Sequence, residues 1–403
     1  MAAEERTASS RVPASTNAVL AGLAIVAITI GIGVAVATGF GPGALSVGSA
    51  EDDSATNPTV ITVSGNTTVT VTYNRDGREI EEFVVADVDP ELTDSADGWA
   101  FVDRSTLPAA LERRIDGRTD SIVPVGDRVL IGNVSSSTRQ VDTTTVTVVA
   151  PAGGDVDPAR KAHFVSEFLS PYALDPEPRK VTVVAAPDAL PHRGLTYPDG
   201  TSYVTVDAFW DGDVGSVWLH EVVHTRQSFE PSREMAWFRE ASAEYLSYRA
   251  MQEQYGEVTR SDVRARLDAY SDYPDARLST PATWDGDPVD YTRGVRLLHA
   301  IDATVRSGSG GEHTLFDVFH AMNEHDGTVS LRDFRRIVER YSGTDDAWIE
   351  HAVTETGPIE RYHEVDPQPV RRRDRAVRRP DPVPAYSSVT SMAMCMAASG
   401  RTG

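Results

Sequence analysis

The pattern of apolar and polar positions divides the chain into four stretches. From Val12 to Ala50 no residue is charged, and Ala18 to Phe40 is apolar and dotted with glycine. About 20 apolar residues cross a hydrocarbon core, so residues 18–40 are expected to be a transmembrane helix. A cleaved secretory signal has a shorter apolar stretch. Next, between Pro58 and Ala150, β-branched runs read as strands: Val60–Val63, Val69–Tyr73, Ile80–Val85, Val129–Ile131 and Val141–Val149. Arg75-Asp76-Gly77 is a turn signal, and Leu107–Arg114 reads as a short helix. Pro151-Ala-Gly-Gly154 reads as a linker. Asp157-Pro158 then opens a helix to about Leu169, Val181–Ala186 and Tyr203–Trp210 read as strands, and from Ser216 almost to Arg361 the pattern is helical. The expected segments are therefore 1–17 before the membrane, 18–40 as anchor, 55–150 as a β-rich domain, 155–363 as a second domain and 364–403 as a disordered tail. That tail carries six arginines between Arg371 and Arg379.

Charge sharpens this picture. The chain has 60 acidic and 38 basic residues, a formal net charge of -22, and Lys161 and Lys180 as its only lysines. Such a surface repels phosphate backbones, which speaks against nucleic acid as a partner. It resembles the composition of halophilic archaeal proteins, whose carboxylates are screened by salt. Arg6 and Arg11 precede the apolar span, and Glu51, Asp52 and Asp53 follow it. The positive-inside rule then places the N-terminus in the cytoplasm and the remainder outside. Asn66-Thr67-Thr68 and Asn133-Val134-Ser135 are glycosylation sequons, relevant only outside the cell. The single cysteine, Cys395, excludes an intrachain disulfide and a cysteine-rich zinc knuckle, so any metal must be held by His, Asp or Glu.

The chemistry-bearing segment is His220-Glu221-Val222-Val223-His224. Histidines four apart on a helix share a face, and both can reach one zinc ion. Glu221 beside them can take a proton from a metal-activated water, while Val222 and Val223 pack into the core. A catalytic zinc site needs a third protein ligand and an open position. A second helical stretch, Ser232 to Tyr255, ends at Gly256 and contains Trp237-Phe238-Arg239-Glu240-Ala241-Ser242-Ala243-Glu244-Tyr245. Glu240 and Glu244 are one turn apart, so a paired helix brings Glu240 opposite the histidines. Glu244 can then fix an imidazole. The other eight histidines show no ligand spacing, and Asn323–Asp333 lacks the acids of a calcium loop.

Together these motifs resemble the gluzincin metallopeptidases of the aminopeptidase-N type, over roughly Val181 to Arg361. The resemblance implies an α+β architecture: transmembrane helix, β-rich domain, then a thermolysin-like zincin domain with a small sheet and a mainly helical part. It implies Zn2+ on His220, His224 and Glu240, Glu221 as general base, and Glu244 behind the ligands. Tyr291-Thr292-Arg293-Gly294 resembles the family's Tyr-x-Lys-Gly motif, which makes Tyr291 the oxyanion donor. It also implies a peptide substrate, with Gly194 and Tyr197 at the substrate-binding edge strand Gly194–Val204. Two departures stand out. Only 15 residues separate His224 from Glu240, a shorter interval than the family's. The family's Gly-x-Met-Glu-Asn strand, whose Glu holds the substrate amine, is replaced by Gly194-Leu195-Thr196-Tyr197-Pro198. The expected activity is membrane-anchored, zinc-dependent peptide hydrolysis outside the cytoplasm. The alternative is a non-catalytic cell-surface binding module with a zincin-like fold, which keeps a structural zinc or only the fold and binds through the β-rich region 58–150; a fourth protein ligand closing the site would favour it.

Overall fold

In the computed structural model, residues 60–364 are described, apart from 65–66, 76–77, 114, 116–120, 171–178, 206–213, 272 and 360. The expected membrane anchor at 18–40, the first 17 residues, the tail from 365 onward and the sequon residue Asn66 lie outside the described residues. Among the described residues, no helix is long and apolar enough to cross a membrane.

The N-terminal part is a meander of β1 (Val60–Ser64), β2 (Thr68–Arg75) and β3 (Arg78–Val85), all antiparallel. It is followed by β4 (Thr93–Asp94), β5 (Trp99–Asp103), the short α1 (Ala109–Glu112), β6 (Ile122–Val125) and β7 (Arg128–Gly132). These four strands form an antiparallel sheet in the order β4-β5-β7-β6. Next come β8 (Val134–Val141), β9 (Thr144–Pro151), α2 (Pro158–Leu169), β10 (Lys180–Ala186), β11 (Gly194–Thr196) and β12 (Thr201–Thr205). Their sheet runs β11-β12-β10-β9-β8, with β9, β10 and β12 parallel and the outer strands β8 and β11 antiparallel to their neighbours.

Side-chain alternation turns these sheets into layers, because successive residues of a strand face opposite sides. Ala100, Val102, Val129 and Ile131 meet Val63, Val69, Val71 and Val85 of the meander. Phe101, Val123 and Leu130, on the other face, meet Val149, Val184, Ala186 and Tyr203 of the five-stranded sheet. That sheet sends Val146, Val148, Val181, Val183 and Val204 to the helices. Its parallel strands β9, β10 and β12 thus bury apolar residues on both faces, as expected of covered parallel strands.

The expected boundary at 150 falls at the end of β9, a strand of the five-stranded sheet. The stretch read as one strand, Val141–Val149, is broken by a turn at Asp142 (φ 48): Val141 ends β8, Thr144 starts β9, and the two strands pair within the five-stranded sheet. Residues 151–154 make a tight turn between β9 and α2 rather than a joint between separate cores, with Ala152 donating to the Asn133 carbonyl. α2 starts as anticipated: the Asp157 side chain accepts from Ala159 and Arg160, and Pro158 occupies the first turn.

The remaining chain is helical: α3 (Val217–His224), α4 (Phe238–Ala250), α5 (Arg260–Ala269), α6 (Val295–Gly308), α7 (Leu315–Asn323), α8 (Leu331–Ser342), α9 (Ala347–Thr354) and α10 (Arg361–Glu364). Two-residue strands β13 (Glu230–Pro231) and β14 (Thr328–Val329) pair in parallel. α4 begins later than the expected Ser232. A 3-10 turn at Arg233–Met235 comes first, and Ser232 makes no side-chain cap. At its other end α4 widens into a π turn, Met251–Tyr255, stopped by Gly256 at φ 68.

Candidate metal centre

α3 lies against β11, β12 and α4. Val222 and Val223 are fully buried in the core, as their spacing requires. The opposite face carries His220 and Glu221, both at least 93% buried, and the partly buried His224. The short connection from His224 to Glu240 is tied down from α7. The Asn323 amide accepts from Ser228 N (2.9 Å) and donates to Arg226 O (2.8 Å), and Ser232 N donates to Val329 O (3.0 Å).

α4 then brings its acids to α3. His220 Nε2, His224 Nε2 and Glu240 Oε2 converge, with separations of 3.0, 3.2 and 3.4 Å. A tetrahedral zinc with bonds of about 2.0–2.1 Å sets its ligand atoms roughly 3.3 Å apart, so the three atoms already fit one ion. The other ring nitrogens are spoken for. His220 Nδ1 lies 3.0 Å from Glu244 Oε2, and His224 Nδ1 lies 3.0 Å from Gln227 Oε1. The Gln227 orientation is fixed because its amide nitrogen donates to Arg239 O and Ser242 Oγ. Both imidazoles therefore use Nδ1–H as a donor, and both Nε2 atoms face a carboxylate oxygen. Three acceptors aimed at one point repel unless a cation, or protons, lie between them. Among the described residues, these three are the one group of His, Cys, Asp or Glu side chains placed to hold a metal.

Without a cation, protons must hold the cluster. Burial disfavours a charged His220, but hydrogen bonds to Glu240 and Glu244 outweigh it and hold the imidazole well above its ordinary value. His224 is raised too, against its own burial, chiefly by Glu240. Burial likewise opposes ionisation of Glu240, yet the two histidines hold its carboxyl well below the usual range. Glu221 is different: burial pushes it up, and the histidines and Thr196 only partly offset that. Of the three glutamates here it is the one raised, whereas Glu240 and Glu244 are held low.

Tyr291 sits on a π turn, Asp290–Gly294, that leads into α6. Gly294 permits the approach to α4: a Cβ there would lie 2.8 Å from Ala241 Cβ and 3.2 Å from the Trp237 ring. The Tyr291 ring stacks on His220 with centroids 5.7 Å apart, and its hydroxyl donates to Glu240 Oε2. Asp290, next to it, accepts from Tyr291 N (3.0 Å), and its carboxyl is pushed up to about 7 by burial and by Glu240.

The structure thus brings together His220, Glu221, His224, Glu240, Glu244 and Tyr291. Gly194 lies against the Glu221 carboxylate, where a Cβ would overlap Oε1. Tyr197 faces away. Strand alternation turns Thr196 to α3 and Tyr197 to the β6–β7 turn, where its ring covers Gly126 and its hydroxyl donates to Asp127. Four contributors escaped the sequence reading: Thr196, Gln227, Asp290, and Tyr248, whose hydroxyl donates to Glu244 Oε1 (2.5 Å). Tyr248 had a legible signal, since it stands one turn after Glu244 on the same helix face.

No protein-family model and no curated protein matches the chain. Distant likenesses appear among solved structures. One is a zinc metallopeptidase of the M1 family from Deinococcus radiodurans, 18% identical, with a TM-score of 0.42 over 68% of this chain and 63% of that one. Another is an aminopeptidase N family protein from Idiomarina loihiensis, 13% identical, with a TM-score of 0.46 over 57% of this chain and 48% of that one. A third is aminopeptidase A from Legionella pneumophila, 14% identical, with a TM-score of 0.43 over 75% of this chain and 39% of that one. In each, the match spans less than two thirds of the other chain, so the functional reading rests on the geometry of the site.

Proposed function

We propose that this protein is a membrane-anchored zinc metallopeptidase that hydrolyses peptide bonds outside the cytoplasm. The observation that carries this reading is the convergence of His220, His224 and Glu240 on one point, beside a buried carboxylate that is not a ligand. Zinc, when bound there, supplies Lewis acidity and a water of lowered pKa.

The chain's own residues divide the remaining work. Glu244 and Gln227 fix both imidazole tautomers, so each Nε2 keeps its lone pair for the metal. Glu221 takes up a proton at its carboxylate and returns it to the leaving nitrogen. Tyr291 turns its hydroxyl from Glu240 to the substrate's developing oxyanion, where a fixed donor is worth most in a water-poor site. β11 is the open edge of its sheet, with Leu195 38% exposed, and offers an extended peptide a backbone to pair with; Gly194 leaves room beside Glu221. Three protein ligands, with no fourth among the described residues, favour catalysis over a closed structural site.

The anchor and the outward orientation rest on the charge-free stretch Val12–Ala50 and the arginines before it. The test is peptide hydrolysis by the full-length protein in high salt. Activity is expected to vanish with a chelator and return with zinc. Glu221→Gln is expected to lower kcat by roughly 10²–10⁴-fold while keeping the metal. Hydrolysis that survives chelation, or an unimpaired Glu221→Gln protein, sinks the mechanism.

A further inference from the structure

The buried carboxylate of Glu221 is held by a residue that the chemistry above does not use. Thr196, on the edge strand β11, has three oxygens around its hydroxyl: Glu221 Oε2 at 2.7 Å, Glu221 O at 3.0 Å and Ser202 Oγ at 2.9 Å. Thr196 and Ser202 are direct cross-strand partners in the β11–β12 ladder, and Ser202 is fully buried. Proton accounting orders the set. A carboxylate and a carbonyl only accept, and a threonine hydroxyl has one hydrogen to give. That hydrogen goes to Glu221, where Oε2 is the nearer and charged acceptor. The Ser202 hydrogen is then left to bond Thr196. The hydroxyls form a one-way chain, Ser202 to Thr196 to Glu221, with each donation supporting the next.

The other carboxylate oxygen is fixed from the opposite side. Gly194, two residues before Thr196 on the same strand face, lies beside Oε1, and any Cβ there would overlap that atom. The carboxylate is therefore clamped between a hydroxyl and an α-carbon of one strand. A Glu side chain has a soft terminal torsion, and such a clamp removes that freedom.

We propose that Thr196, backed by Ser202, is the positioning residue for Glu221: it occupies Oε2 and leaves Oε1 as the oxygen that handles the proton. This rests on the reading of Glu221 as general base. It also gives the edge strand a second task, because the strand that offers backbone to a peptide also aims the base at it. A peptide pairing with β11 is thereby registered to the carboxylate through Gly194 and Thr196 themselves.

The test uses the full-length, zinc-loaded protein. Thr196→Val keeps the branched shape and removes the hydroxyl, so kcat is expected to fall roughly 10- to 100-fold, the scale of a slightly misplaced catalytic group. KM and zinc content are expected to stay at wild-type values. Thr196→Ser restores the hydroxyl and is expected to recover most of kcat. A second readout does not depend on turnover. Acetohydroxamate gives up its proton to a carboxylate beside the metal, so its calorimetric affinity is expected to drop about tenfold in Thr196→Val and not in Thr196→Ser. Equal kcat and equal affinity in wild type and Thr196→Val overturn the proposal, as does a Thr196→Ser protein as impaired as Thr196→Val. If Thr196→Val loses zinc or folds poorly, Ser202→Ala replaces it. A severalfold lower kcat with zinc retained then supports the chain of hydroxyls, and an unchanged kcat overturns it. A wild-type protein that neither hydrolyses peptides nor binds acetohydroxamate defeats the parent reading, whatever the variants do.

Discussion

Helix α4 carries two buried polar clusters, one at each end, and they differ in a way that separates chemistry from architecture. At its start, Glu240 and Glu244 face two histidines, with Glu221 and Asp290 nearby. At its end, Arg249 and the following Glu253 meet Asp302 and Arg306 of α6. Asp302 is fully buried, accepts from Arg306 Nε at 2.9 Å, from Tyr245 at 2.9 Å and from Leu315 N at 2.8 Å, and lies 3.5 Å from Arg249 Nε. Glu253 binds both arginines. Two acids and two arginines balance, and no charge remains for a ligand. The first cluster has acids in excess over permanent cations, and it closes only with a cation or added protons between its histidines and Glu240. Buried charge is tolerated when it is paired; the cluster left unbalanced marks the functional site.

The comparison breaks if either cluster behaves like the other. The largest effect is expected at the unbalanced one. His220→Ala and Glu240→Ala each remove a ligand and are expected to abolish zinc binding and activity together, while circular dichroism still reports a folded protein. Metal analysis of the purified variants checks this. Retained zinc in both would mean that the ion sits elsewhere.

At the balanced cluster the expected loss is in stability, not chemistry. Asp302→Asn leaves Arg249 and Arg306 buried without their central partner, a change of the kind that costs about 3–5 kcal/mol. Chemical denaturation should show the lower midpoint, and the folded fraction should keep zinc and kcat. A specific loss of kcat at full stability would make this cluster part of the site.

Tyr291→Phe tests the border of the unbalanced cluster. Its hydroxyl contacts a ligand but is not one, so zinc content is expected to hold. Losing one oxyanion donor typically costs about 10²–10³-fold in kcat. Because Tyr291 must first leave Glu240, a smaller loss, roughly tenfold to a hundredfold, is expected. A variant as active as wild type would reduce Tyr291 to a packing group on His220.

The ease of reading these features from sequence follows sequence distance. His220, Glu221 and His224 are one helical turn, and Glu240 and Glu244 another, so spacing alone places each pair on one face. Strands with β-branched runs were legible for the same local reason. Thr196 was not, because its meaning depends on Ser202 across a ladder and on Glu221 in another element. The sheet membership of β8 and β9 was hidden by their composition: β9 is apolar on both faces and shows no alternation, β8 is largely polar, and only the two-residue turn Asp142–Thr143 separates them. The Asp302 network was invisible, since an Asp and an Arg four apart on α6 look like a solvated pair until α4 and α7 cover them. Gln227 carries no motif at all and works only because its amide is held in place by Arg239 and Ser242.

Lys161 gives the smallest test, and it probes the rule behind the comparison. It is one of two lysines in the chain, 5% exposed on α2, with its ammonium 5.1 Å from the centre of the Trp218 ring on α3. Burial, helped by the neighbouring Arg160, depresses its pKa to about 6. The sign follows from linkage. The unfolded chain binds this proton up to a pKa of about 10.4, while the folded chain releases it near 6, so between those values the unfolded state holds more protons. The penalty on folding is full below about pH 6, shrinks as pH rises and is gone above the unfolded pKa. Lys161→Met removes a chargeable group and keeps the volume. It is expected to raise the melting temperature by several degrees at pH 6 to 7, and to add little near pH 10. Melting curves of both proteins across that range decide it. A variant less stable than wild type at pH 6 would show that the ammonium is stabilised where it lies, and that buried charge in this protein does not have to be balanced by a carboxylate to be tolerated.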